Sequence, residues 1–142
     1  MQRYLCQLLM LMLTIIVLPT FAAAKPPKKR VEPIIVYTQA QPNIALSSKQ
    51  PVFSIQLKAN PSTGFSWFLR DYDHSVLTPL KHATEASDTG MMGAPGYETF
   101  TFKVNTAAFV VPQVTALRFY YMRPSQGVEN STQVVFHVAW IS

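Results

Sequence analysis

Apolar and polar residues alternate one by one along four segments of this chain, and no other feature of it constrains the fold as much. In PVFSIQLKA (51–59), Phe53, Ile55, Leu57 and Ala59 fall on one side and Ser54, Gln56 and Lys58 on the other. ETFTFKV (98–104) sets Phe100, Phe102 and Val104 against Thr99, Thr101 and Lys103. LRFYYMR (117–123) sets Leu117, Phe119 and Tyr121 against Arg118, Tyr120 and Met122. QVVFHVAW (133–140) sets Val134, Phe136, Val138 and Trp140 against Val135, His137 and Ala139. Successive side chains of a β-strand point to opposite faces, so this period predicts half-buried strands. FSWFLR adds a strand with Trp67 and Leu69 inward, and IIVY and NIALSS read as short edge strands separated by Pro42. Beyond residue 24 no segment holds a 3.6-residue apolar period. Seven to eight short strands broken by Pro, Gly, Asn and Ser predict an all-β antiparallel sandwich. The least regular stretch, Asp71 to Met92, reads as an exposed connection.

The N-terminus is of a different kind. Residues 1–24 carry one cation, Arg3, then an apolar run from Leu8 to Leu18, then Ala22-Ala23-Ala24. That order is a secretory signal peptide with cleavage after Ala24. The run is shorter than the roughly 20 residues a membrane span needs, so no stable membrane insertion is expected once it is removed. Cys6, the single cysteine, leaves with it, which removes disulfides, thiol nucleophiles and cysteine metal ligands from the mature chain. The chain is secreted or periplasmic on this reading. Residues 25–33 form a basic, Pro-rich linker, and 34–142 are one domain. The formal charge of +5 is concentrated in that linker, in Lys25, Lys28, Lys29 and Arg30. The folded part is close to neutral, which argues against nucleic acid as a partner.

Three loops stand out between the strands. Asn60-Pro61-Ser62-Thr63-Gly64-Phe65 combines a fixed φ at Pro61, a turn-forming amide at Asn60, a β-branched Thr63 and a permissive Gly64. It is either an ordinary turn or a stiff loop presented to a partner. In the second, glycines surround Met91 and Met92, followed by Gly93, Ala94, Pro95 and Gly96. Two adjacent methionines there are adaptable apolar contact surface or fold back onto the sandwich end. In the third, Arg123, Pro124 and Ser125 follow a strand, and Arg123 either meets a partner carboxylate or braces the loop. His74, His82 and His137 have no metal-ligand spacing, and no nucleophile elbow is present, so neither cofactor nor catalysis is expected. Asn130-Ser131-Thr132 has the form of an N-glycosylation sequon.

NPSTGFSW, GAPGYETFTFKV, LRFYYMRP and the closing VVFHVAW, in that order from about Ile44 to Trp140, resemble the chagasin family of cysteine-protease inhibitors. The resemblance implies an immunoglobulin-like sandwich in which three loops at one end wedge into the cleft of a papain-family cysteine protease. It implies that Asn60–Gly64 lies over the catalytic cysteine and histidine. Gly90–Gly96 would then meet the substrate-side subsites, and Arg123 and Pro124 the opposite rim. Family members usually carry an aromatic after Arg-Pro; this chain has Ser125 and Gln126, and Pro95 stands where small residues are usual. The resemblance implies a monomeric, reversible inhibitor. The other reading of the same sandwich is a non-inhibitory binding or adhesion module of the cell envelope.

Overall fold

The computed structural model describes residues 33–86 and 94–141. Eight strands follow in chain order: β1 (Ile35–Thr38), β2 (Asn43–Ser47), β3 (Val52–Ala59), β4 (Ser66–Asp71), β5 (Leu77–Glu85), β6 (Gly96–Val104), β7 (Gln113–Met122) and β8 (Thr132–Ile141). They form two four-stranded sheets, ordered β1-β3-β6-β5 and β2-β8-β7-β4. The all-β sandwich expected from the alternation is what the chain builds.

The inward residues of the four alternating segments make its core. Phe53, Ile55, Leu57, Phe102, Val104, Leu117, Phe119, Phe136 and Val138 are all wholly buried, joined by Ile44, Leu77 and Trp140. Each such side chain contributes about 1.5–3 kcal/mol of hydrophobic stabilisation, so a core of this size holds without a disulfide. Each tryptophan closes one end of the sandwich. Trp140 Nε1 donates to Ala108 O at 2.6 Å and Trp67 Nε1 donates to Lys58 O at 2.8 Å, so both polar handles are satisfied where the rings are buried.

The structure departs from the sequence reading in several places. β1 pairs with β3, and β2 with β8, in parallel; the other four pairings are antiparallel. Both parallel strands are short sheet edges, whose pairing sense leaves no trace in their own composition. The connection expected from Asp71 onward is in part a nine-residue strand, β5. As the other edge of its sheet β5 buries little more than Leu77, and Pro79 with a register shift before Lys81 interrupts it, so no alternation marks it. Ser54 and Thr101, from the outward sets, are buried and share a 2.8 Å hydrogen bond between hydroxyls. They face each other across β3 and β6, the two central strands, with Val36 and Lys81 in register on either side, and short side chains there are covered by their neighbours. Met122, also from an outward set, is buried at the end of β7.

Candidate functional site

Strand register decides where the three loops go. Ala59 at the end of β3 is level with Gly96 at the start of β6, and Glu85 at the end of β5 is level with Tyr97. In the other sheet Ser66 at the start of β4 is level with Met122 at the end of β7, and Tyr121 with Thr132. The β3–β4, β5–β6 and β7–β8 connections therefore leave the sandwich at one pole. Asn60–Phe65 and Arg123–Ser125 lie there, as do Ala94, Pro95 and Gly96. Met91, Met92 and Gly93 lie outside the described residues, as do the signal peptide and all of the linker except Pro33.

The first loop is a 3-10 turn, Pro61–Thr63, with proline at its start and Gly64 closing it in the left-handed region at φ 74°. Only glycine takes that conformation without cost, which explains its place in the sequence. The polar groups of the turn satisfy one another. Asn60 O accepts from Thr63 N at 3.1 Å and from Thr63 Oγ1 at 2.6 Å, Ser62 Oγ donates to Asn60 Oδ1 at 2.6 Å, and Gly64 N donates to Pro61 O at 3.1 Å. Pro61, Ser62, Thr63 and Gly64 are nonetheless exposed. The loop is thus stiff by its own bonding rather than by being packed inside.

The base of the turn is anchored by residues the loop motif does not contain. Asn60 N donates to the Tyr121 hydroxyl at 2.8 Å. The Tyr121 ring lies 5.4 Å from Phe65 and 5.0 Å from Trp67, centroid to centroid. On Phe65 sits the Arg123 guanidinium, 4.8 Å from the ring centroid, within cation–π range. The bracing role has a contact to rest on: first and third loops are coupled through Phe65. The third loop carries its own turn, in which Gln126 N donates to Arg123 O at 3.0 Å. Ser125 is exposed, and no aromatic follows Pro124.

The stem of the second loop has a different constraint. At Gly96 a Cβ would overlap the carbonyl oxygen of Glu85, so the last residues of β5 and the first of β6 approach as only glycine allows. Two residues on, Glu98 is 1% exposed. Its Oε1 accepts from Trp67 N at 3.1 Å and its Oε2 pairs with His82 Nε2 at 2.9 Å. His82, read from sequence as a loop residue, is on β5 and stacks on Phe100 at 4.3 Å. Tyr121, Glu98 and His82 were not among the candidates drawn from the sequence. Two of them left a signal there: Glu98 stands in the same inward phase as Phe100, Phe102 and Val104, and Tyr121 in that of Leu117 and Phe119.

A sandwich that gathers three connections at one pole, with an exposed and internally bonded tip among them, is a loop-presenting domain. The family model described as chagasin family peptidase inhibitor I42 matches residues 47–139. The chain belongs to that family, whose members are protease inhibitors and not enzymes. No curated protein matches it significantly. Among solved structures, the cysteine protease inhibitor EhICP2 from Entamoeba histolytica superposes with a TM-score of 0.61 at 22% identity, covering 77% of this chain and 96% of that one. The solution structure of amebosin superposes at 0.58 with 18% identity, over 77% and 99% respectively. At these identities the likeness is one of fold.

Proposed function

We propose that the chain is an exported, monomeric, reversible inhibitor of papain-like cysteine proteases, whose loops at one pole occlude the active-site cleft. The observation that carries this reading is the Asn60–Gly64 tip, exposed yet closed by four hydrogen bonds of its own. A loop already ordered in the free protein gives up little entropy on docking. It fills the groove above the nucleophile without offering a peptide bond in attack geometry, so it is not cleaved. Roughly 800 Å² on each partner would be a usual burial for such a complex. Ala94–Gly96 and Arg123–Ser125 flank the tip and meet the two rims. With Arg123 engaged on Phe65 and Ser125 in place of an aromatic, the third loop acts chiefly by holding the first. Export rests on the signal-peptide pattern of residues 1–24.

The test is a titration of papain with the purified protein, wild type and Thr63→Glu. An unpaired charge carried into a closed cleft costs several kcal/mol, so Thr63→Glu should weaken inhibition by at least ~100-fold with the fold unchanged. Wild type that leaves papain and a cathepsin-L-like protease fully active at micromolar concentration would favour a non-inhibitory envelope module instead. Equal inhibition by the variant would show that another surface makes the contact.

A further inference from the structure

Among the described residues the buried polar and charged side chains are Ser54, Thr101 and Glu98, and only Glu98 carries a carboxyl group. Ser54 and Thr101 satisfy each other on the outer face of a sheet. Glu98 faces the interior, in line with Phe100, Phe102 and Val104. A buried carboxylate is costly to desolvate, and a well-packed apolar side chain at such a place is commonly no less stabilising. Stability alone does not account for it.

Its partners do. Oε1 crosses from one sheet to the other to take the Trp67 N–H of β4, and Oε2 takes His82 of β5, which Phe100 holds by stacking at an interplanar angle of 14°. β4 is a sheet edge, hydrogen-bonded to β7 alone, so on its free side no strand supplies acceptors. The carboxylate supplies one where the chain leaves the first loop, two residues after Phe65. The same side chain stands two residues after Gly96, and His82 three before Glu85. One group thus fastens the exit of the first loop to both strands that carry the second.

We propose that Glu98 is a positioning residue for inhibition: it fixes the take-off of the Asn60–Phe65 tip, and its alignment with the β5–β6 stem, by accepting from Trp67 N–H. The effect on inhibition rests on the proposed function; the placement of the tip by Glu98 does not.

Three proteins decide it: wild type, Glu98→Gln and Glu98→Met. Glutamine keeps an oxygen for Trp67; methionine keeps the volume and removes the acceptor. Glu98→Gln should inhibit papain within about threefold of wild type, and Glu98→Met about tenfold or more less tightly, a loss expected when a buried donor is left unmet. Hydrogen exchange at the Trp67 amide should quicken in Glu98→Met and not in Glu98→Gln, with NMR shift changes running through 60–65 while the core amides stay protected. Rescue by glutamine and a change confined to the tip are effects a general loss of packing does not produce. Should Glu98→Met not fold, Glu98→Asp, one methylene short of both partners, should show the same weakened inhibition and fast exchange. Glu98→Met, or Glu98→Asp in its place, with wild-type inhibition and a protected Trp67 amide would overturn the proposal. So would Glu98→Gln as impaired as Glu98→Met with that amide still protected. A wild type that fails to inhibit papain sinks the proposed function, while the exchange and shift measurements still decide whether Glu98 sets the tip.

Discussion

Removing one oxygen atom tests how far the tip depends on what lies beneath it. Tyr121→Phe keeps the ring that stacks on Phe65 and Trp67 and deletes the hydroxyl that accepts from Asn60 N at 2.8 Å. The bond is only part-buried, so its loss should cost about 1 kcal/mol, the usual net worth of such a bond, rather than the larger penalty of a fully dry site. For a domain of this size that lowers the thermal midpoint by about 4 °C. The same energy bounds the effect on inhibition. A base loosened in the free protein must be re-ordered in the complex, which weakens binding by at most about fivefold. Urea unfolding and papain titration on one preparation measure both quantities. Stability falling as expected with inhibition untouched would mean that the Asn60 anchor does not shape the tip. Inhibition falling ~100-fold would mean that the hydroxyl itself touches the protease, and the bracing argument would fail in the other direction.

Two further substitutions address the scaffold. Gly96→Ala places a Cβ against the carbonyl oxygen of Glu85 and forces β5 and β6 apart where the second loop begins. It should lose about 2 kcal/mol in urea unfolding, and an unchanged midpoint would contradict the register at that stem. At the opposite pole, the carboxylate of Asp73 accepts from the Ser75 hydroxyl and from Ser75 N, and those bonds, the hydroxyl first, hold its pKa below the ordinary carboxylate value. A depressed folded-state pKa gives stability that is present above the unfolded value and is lost as pH falls through the folded one. Wild type should therefore lose stability on acidification that Asp73→Asn does not lose, and parallel midpoint-versus-pH curves for the two would remove Asp73 from the account.

The strands of the central core could be read directly from the chain, because a two-residue period is a property of neighbours. Phe53 to Leu57, Phe100 to Val104 and Phe136 to Trp140 each declare a face. β5 did not, because an edge strand that buries so little has no need of alternation. The tip was also legible: Pro61, Thr63 and Gly64 act within a few residues of one another, and the turn's hydrogen bonds, made among Asn60 to Gly64, are equally local. The role of Arg123 was not. Its guanidinium lies on Phe65, in a loop far away along the chain, and no local pattern announces that approach.

By itself, then, the sequence determined which side chains of the central strands face inward, that the chain, with one cysteine, is a sandwich without an internal disulfide, and that Asn60–Gly64 is stiff. Tertiary structure alone decided that Tyr121 and Arg123 hold the first loop, and that Glu98 ties both sheets beneath it. The division has a physical cause. Periodicity and turn chemistry are set by torsions and contacts a few residues apart, whereas Asn60 meets Tyr121, and Trp67 meets Glu98, across long stretches of chain whose pairing the local pattern leaves open.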